Sequence, residues 1–422
     1  VIHAPTNSDN VLIGLYMKLR SLLFTLLFIT ICFDLIAQDA TNHVVENNTF
    51  TKKPVQEKDM SYLFKKKGKN ATSDSSFEKS KKQFSFIPAA GYSLQTGFAG
   101  ILSANLAYYN DTAADAKMSS ISSSITYSQY NQILLPLTAN IWTKNNKYNF
   151  ISDNRIIDYP SNIYGVGGRT DPNKGHQIAF KGLKLHQTVM RSIAKNWYAG
   201  LGVYYDQMWD IKVLDSVTRR LNNTINRQLG TSEIAIGMIA RISYDSRINQ
   251  INSKNGWFMN AVLRDSRKFL GSDNNWQSLI IDVRKYIPFP KYSKNTLALW
   301  SYNWMILNGK APYLLLPSTG WDDQYNTGRG YIQGRFRGSQ MYYAEAEYRF
   351  NITRNGMFGA VVFGNLQYFS PDISPKFQVL TPGFGGGLRI KLNKHSGTNL
   401  CIDYGFGKDG SKGFFVNLGE VF

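Results

Sequence analysis

The sequence predicts an all-β fold: a transmembrane antiparallel β-barrel of about 16 strands, preceded by a secretory signal and a short leader. Three observations predict it. The one long apolar run lies near the amino end, in the setting of a secretory signal. From Phe84 onward, segments of about ten residues alternate apolar and polar positions and are broken by polar turns. The last of these segments ends in an aromatic residue, Phe422.

Composition narrows the class. Aromatic residues make up 14% of the 422 and charged residues only 18%, with 35 glycines. A helical membrane protein needs several apolar runs of about 20 residues, and this chain has one short run. That run, Leu22 to Phe33, is 12 residues long, follows Met17-Lys18-Leu19-Arg20 and precedes Ile36-Ala37-Gln38. Basic, apolar and small-residue regions in that order read as a signal over 17–37, too short to span a bilayer comfortably. Residues 1–16 lie upstream of a plausible initiator, Met17, and read as a gene-model extension.

Cysteine usage agrees with export. Cys32 follows Ile31 rather than the small residue of a lipoprotein processing site, and removal of the signal leaves Cys401 alone. An exported chain with one cysteine has no disulfide framework. Barrel closure is another device for stability, because it satisfies backbone groups between strands. The net charge of +19 does not point to nucleic acid: about ten lysines fall in 38–83, and no nucleic-acid fold signature accompanies the rest. Anionic lipid head groups are the natural partners of a basic barrel. Residues 38–83, rich in Lys, Asn, Ser and Thr, are expected to be a disordered leader.

The barrel is expected over 84–422. Strand starts are read at Phe84, Gly97, Met118, Ile133, Lys147, His176, Asn196, Ser232, Gly256, Asn274, Asn295, Met341, Met357, Phe384, Thr398 and Gly413. With the amino end periplasmic, connections after odd strands face outside, where barrels keep their long loops. The long connections, 160–175, 213–231, 310–340 and 370–383, follow strands five, seven, eleven and thirteen. Short ones, such as Ile193-Ala194-Lys195 and Arg354-Asn355-Gly356, follow even strands.

Alternation separates the two faces. In the strand from Met341, Tyr343, Glu345, Glu347 and Arg349 share one side and Ala344, Ala346, Tyr348 and Phe350 the other. Charges at the lipid midplane are destabilising, by about 2–4 kcal/mol for Arg or Lys and less for Asp or Glu, so the charged positions belong in the lumen. By the same rule Leu400, Ile402, Tyr404 and Phe406 face lipid, while Cys401 and Asp403 face inward. Ile234, Ile236, Met238, Ala240, Ile242 and Tyr244 are also read as outward. In the final strand Phe414, Val416, Leu418 and Phe422 share the apolar face. Such an ending resembles the signal that hands barrels to the assembly machinery. Glu420 departs from the pattern and is expected to snorkel toward the interface.

The 310–340 loop contains TGRGYIQGRFRGSQ, followed by MYYAEAEYRF. Here the sequence resembles the BamA/TamA family of outer-membrane assembly and translocation barrels, the bacterial surface antigen family. That family carries an Arg-Gly-aromatic motif in a sixth surface loop folded into the lumen. Arg329-Gly330-Tyr331 matches it and falls in the sixth outer loop by strand count. SYDSRINQINSKNGWFMNAVLRDSRKFLGSDNNWQSLIIDVRKYIPF (243–289), IYGVGGRT (163–170) and IDYGFGKDG (402–410) are similar to other recurring family stretches, so the resemblance covers most of 84–422.

The resemblance implies that Arg329 holds the loop inside the barrel. A buried guanidinium needs carboxylates, and Glu345, Glu347 and Asp403 are the expected partners. Gly330 lets backbone approach the wall, and Tyr331 adds contact area. In the family the first and last strands pair poorly and open toward lipid. The first strand here contains Pro88, Ala89, Ala90 and Gly91; Pro removes a ladder donor and Gly weakens a strand. It reads equally as a gate or as a frayed end.

Residues 38–83 are too few and too polar for a folded periplasmic domain, so the chain reads as a barrel-only relative without POTRA domains. A separate periplasmic or outer-membrane partner would then replace them. No Gly-x-Ser-x-Gly elbow and no metal-binding histidine spacing appear, so neither an enzyme nor a metal or other cofactor is expected. The expected function is insertion or translocation of proteins, or lipids, at the outer membrane, with contact to lipids and lipopolysaccharide. A passive pore gated by the sixth loop is the alternative.

Overall fold

A computed structural model of the chain describes residues 57–60, 82–93, 95–113, 116–214, 230–374, 379–394 and 396–422. The expected extension, the signal and most of the leader lie outside these residues. One compact unit, Glu57–Ile373 with Gln378–Phe422, contains the barrel.

Its strands are β1 (Gln83–Ser93), β2 (Gly97–Tyr109), β3 (Met118–Ser128), β4 (Ile133–Trp142), β5 (Tyr148–Asp158), β6 (Ser161–Ile163), β7 (His176–Ala194), β8 (Trp197–Val213) and β9 (Ser232–Asp245). They continue as β10 (Gly256–Ser266), β11 (Trp276–Pro288), β12 (Thr296–Gly309), β13 (Gln340–Asn351), β14 (Phe358–Ser370), β15 (Leu380–Asn393), β16 (Thr398–Gly407) and β17 (Lys412–Leu418). β5 and the short β6 both pair with β7, so they are two pieces of one wall strand. The wall therefore has sixteen strands among the described residues, as the alternation predicts. Antiparallel ladders join sequence neighbours from β1–β2 to β16–β17 and leave a nearly closed barrel.

Strand starts agree with the sequence reading to within two residues except in β15, which begins four residues early, at Leu380. Pro382 and Gly383 look like loop punctuation, yet they pair with Leu366 and Asn365 in the wall. By strand order the described parts of the long connections belong to one end of the barrel, and most described connections at the other end are tight. Between β9 and β10 the turn end instead carries a ten-residue segment, 246–255, which hydrogen-bonds to the β15–β16 turn through Asn249 and Asn252. Leader residues 57–60 meet the same end: the Met60 amide donates to the Lys391 carbonyl at 2.9 Å, and Glu57 pairs with Lys391 at 3.1 Å.

The faces are inverted relative to a soluble protein. Outside lie Leu201, Met238, Val362, Phe384 and Phe414, each between 46% and 73% exposed. Inside lie Glu345, Glu347, Arg349 and Asp403, each 3% exposed or less. The lumen also holds an aromatic core around Trp300, Tyr302, Tyr343 and Phe369. Such a belt is stable only against hydrocarbon. Met238 stands midway along β9, so Met238→Arg should cost about 2–4 kcal/mol of folding stability in lipid vesicles. Denaturant titration in bilayers checks this; an unchanged midpoint would remove Met238 from the lipid face.

Candidate functional site

The connection between β12 and β13, residues 310–339, folds into the lumen. Its first turn, Tyr313–Leu315, is anchored by Glu233 at the start of β9, whose carboxylate accepts the amides of Tyr313 and Leu314 at 3.0 and 2.9 Å. Asp322 closes the next turn, accepting the Thr327 amide and hydroxyl, both at 2.7 Å. The Arg335 guanidinium donates to the Thr170 hydroxyl and carbonyl at 2.6 and 2.7 Å, and the Gly167 amide donates to the Arg337 carbonyl at 2.6 Å. The 163–170 stretch thus serves as a brace for the loop.

Arg329 is 1% exposed and reaches three carboxylates on two strands. It donates to Asp403 of β16 at 2.6 Å and to both Glu345 and Glu347 of β13. The ring of Phe363 lies 3.7 Å from the guanidinium carbon. Alternation puts Glu345 and Glu347 two residues apart on one face, and β16 brings Asp403 from the other side. Without the guanidinium Glu345 would be a buried carboxylate with no cation among the described residues, and Glu347 and Asp403 would be left to Arg349 and Arg389, at a cost of about 3–5 kcal/mol for one broken pair.

Backbone contacts hold the rest of the motif. Gly330 has φ +106°, and a Cβ there would lie 2.6 Å from the Phe406 carbonyl oxygen. The wall opposite is paved with glycine: a Cβ at Gly405 would meet the Gly330 nitrogen at 2.7 Å, and one at Gly407 the Tyr331 ring at 2.7 Å. The Tyr331 hydroxyl donates to the Pro382 carbonyl at 2.5 Å and accepts the Lys408 amide at 2.7 Å. This gives a physical reason for the IDYGFGKDG stretch: its glycines are where the loop backbone lies against the wall.

The ion network continues to the carboxyl end. Arg389 bonds Asp403 and Glu420 at 2.5 and 2.8 Å, and Arg349 bonds Glu347 at 2.7 Å. Here the sequence reading needs correction. Phe414, Val416 and Leu418 lie on β17, and Phe414 is outward, but the strand stops at Leu418 and Gly419 turns at φ +90°. Phe422 therefore leaves the lipid face and is buried in the lumen, stacked on Trp300 at 5.0 Å with its main-chain oxygen accepting from Arg349 at 2.9 Å. Glu420 does not snorkel; it is buried between Arg349 and Arg389. Two inward cations outweigh the strand period that would have carried both residues outward.

At the seam, β1 pairs with β2 over all eleven residues and β17 with β16 over seven. Among the described residues no ladder joins β1 to β17. Pro88 sits on this free edge, exposed, opposite Leu102 of β2. The edges approach through side chains: Tyr92 and Phe414 pack edge-to-face at 6.4 Å, and a Cβ at Gly91 would lie 3.4 Å from that of Val416. A cavity of about 220 Å³ lies behind this junction, bounded by Tyr92, Phe415, Asn417, Trp321, Asn326 and Arg329.

No protein-family model matches the sequence, and no curated protein does. Solved structures match. BamA from Haemophilus ducreyi lacking POTRA domains 1–3 superposes with a TM-score of 0.50 at 13% identity, over 80% of this chain and 69% of that one. CdiB from Acinetobacter baumannii gives 0.53 at 12% identity, over 80% of this chain and 60% of that one. The chain has the barrel fold of BamA and CdiB.

In this BamA-like barrel, sequence reasoning read Arg349 as inward without naming its partners, and it missed Arg389, Asn365, whose side-chain amide donates to the Arg329 carbonyl at 2.9 Å, and the glycines of β15 and β16. Arg349 and Arg389 were legible as inward charges by alternation; their shared partner Glu420 was not. Arg329→Ala should expose the loop, seen as at least tenfold faster proteolysis within 310–339 of the folded barrel. Gly330→Ala should have the same direction, since its Cβ meets rigid backbone. Wild-type cleavage rates in both would show that neither contact retains the loop.

Proposed function

We propose that the protein is a bacterial outer-membrane barrel that assists insertion or translocation of proteins, or lipids, through a lateral seam between β1 and β17. The observation that carries this reading is the unpaired edge of β1, closed by side chains rather than a ladder, beside a lumenal loop held by buried ion pairs. An unpaired edge offers hydrogen-bond partners to incoming polar backbone and so lowers the cost of its passage through hydrocarbon.

In this reading Arg329, Gly330 and Tyr331 lock the sixth loop, with Glu345, Glu347 and Asp403 as the receiving carboxylates. Pro88 and Gly91 keep the outer edge of the first strand from pairing with the last. Phe414, Val416, Leu418 and Phe422 present the ending read by the assembly machinery before the barrel closes, after which Phe422 turns inward. The apolar belt contacts outer-membrane lipids and lipopolysaccharide, and a separate periplasmic or outer-membrane partner supplies substrate capture. A passive pore is disfavoured because the loop and the carboxyl end fill much of the lumen.

The spacing at Gly91 and Val416 is close to that of a disulfide. Gly91→Cys with Val416→Cys, in a Cys401→Ser background, should cross-link on oxidation. Assembly of outer-membrane barrels in cells relying on this copy should fall when oxidised and recover on reduction. Full activity in the cross-linked state would rule out passage through the seam.

A further inference from the structure

A second charged region lies in the lumen on the turn side of the loop tip, and its aspartates are already committed. Residues i and i+2 of a strand share a face, so an Asp-x-Arg can close its own fork, and the turn after β9 lets Arg247 fold back on Asp245 in the same way. Asp153 with Arg155 does so at 2.6 and 2.8 Å, Asp245 with Arg247 at 2.9 and 3.1 Å, and Asp282 with Arg284 at 2.9 and 2.7 Å. Asp206 is taken by His186 at 2.8 Å.

Two guanidiniums remain. Arg241 of β9 and Arg264 of β10 make no hydrogen bond among the described residues, and the Nε of each is shut off from solvent. Arg264 has a loose ion pair with Asp323 of the loop at 3.9 Å; Arg241 has none among these residues. Arg241 stands opposite Val262, and Arg264 opposite Ile239, which makes the two arginines diagonal neighbours on the inner wall, within reach of one ligand. Both line a cavity of about 410 Å³, with Asn140, Asn149, Ser243 and Asn260 among its walls. A guanidinium carries five donors and no acceptor. Two of them left open in a polar cavity of ligand size form a fork for an oxyanion, with hydroxyl-binding amides beside it.

We propose that this cavity binds a soluble oxyanion carried on a hydroxyl-bearing ligand, such as a sugar phosphate, through Arg241 and Arg264. The sheet separates the cavity from lipid, so the ligand enters from the aqueous lumen. The occupant competes with Asp323 for Arg264.

The test is isothermal titration of glucose 6-phosphate into the full chain in phosphatidylcholine nanodiscs, with glucose as the uncharged control. Saturable binding of glucose 6-phosphate, at least tenfold weaker for glucose, is expected. Arg241→Gln and Arg264→Gln should each weaken it at least tenfold, Arg241→Lys should keep part of it, and the loop variant Arg267→Gln should leave it unchanged; heat-modifiable gel migration verifies that each barrel is folded. Absence of saturable binding, equal binding of glucose, or full binding by folded Arg241→Gln would overturn the proposal. So would binding lost when phosphatidylglycerol replaces phosphatidylcholine, which would assign the site to a lipid head group.

Discussion

Arg329 is the cation on which the interior depends. Three acids from β13 and β16 converge on it, and each would be costly to bury alone. Because Arg329 belongs to a loop rather than a strand, the charge balance of the wall is met only when that loop lies inside. Glu347 and Asp403 pass the constraint on to Arg349 and Arg389, and these pass it to Glu420. The loop and the carboxyl end are thereby parts of one polar core.

That core reverses the arrangement of a soluble domain. The hydrocarbon-facing side is paved with single apolar side chains, and specificity of packing is moved to the lumen, where Asp-x-Arg forks and aromatic stacks pack among isoleucine, leucine and methionine side chains. A strand offers its carboxylate and its guanidinium to the same side by its period, so such forks form locally. Arg241 and Arg264 lack a carboxylate at that spacing, which is why they remain open.

The seam follows from a different constraint. Fourteen-residue strands such as β9 and β12 are held on both edges, whereas β17 has seven residues and turns inward after Leu418. The turn at Gly419 that brings Glu420 and Phe422 into the lumen also ends β17 at Leu418. The seven residues before it meet β1 through the side chains of Phe414 and Val416 rather than through a ladder.

The sequence by itself determined the strand number, the placement of long and short connections and the inward direction of Glu345, Glu347 and Asp403, because a period of two and lipid outside leave a charge one allowed side. It also placed Arg329 in the sixth outer loop. What it could not decide were contacts made across the lumen by residues distant in the chain: three acids meeting on one guanidinium, glycines of β15 and β16 lying under the loop backbone, and Arg349 stacking against Phe422. For Phe422 and Glu420 the local period pointed outward. Only the tertiary structure, by supplying Arg349, Arg389 and Trp300 on the inner wall, made the inward turn the lower in free energy.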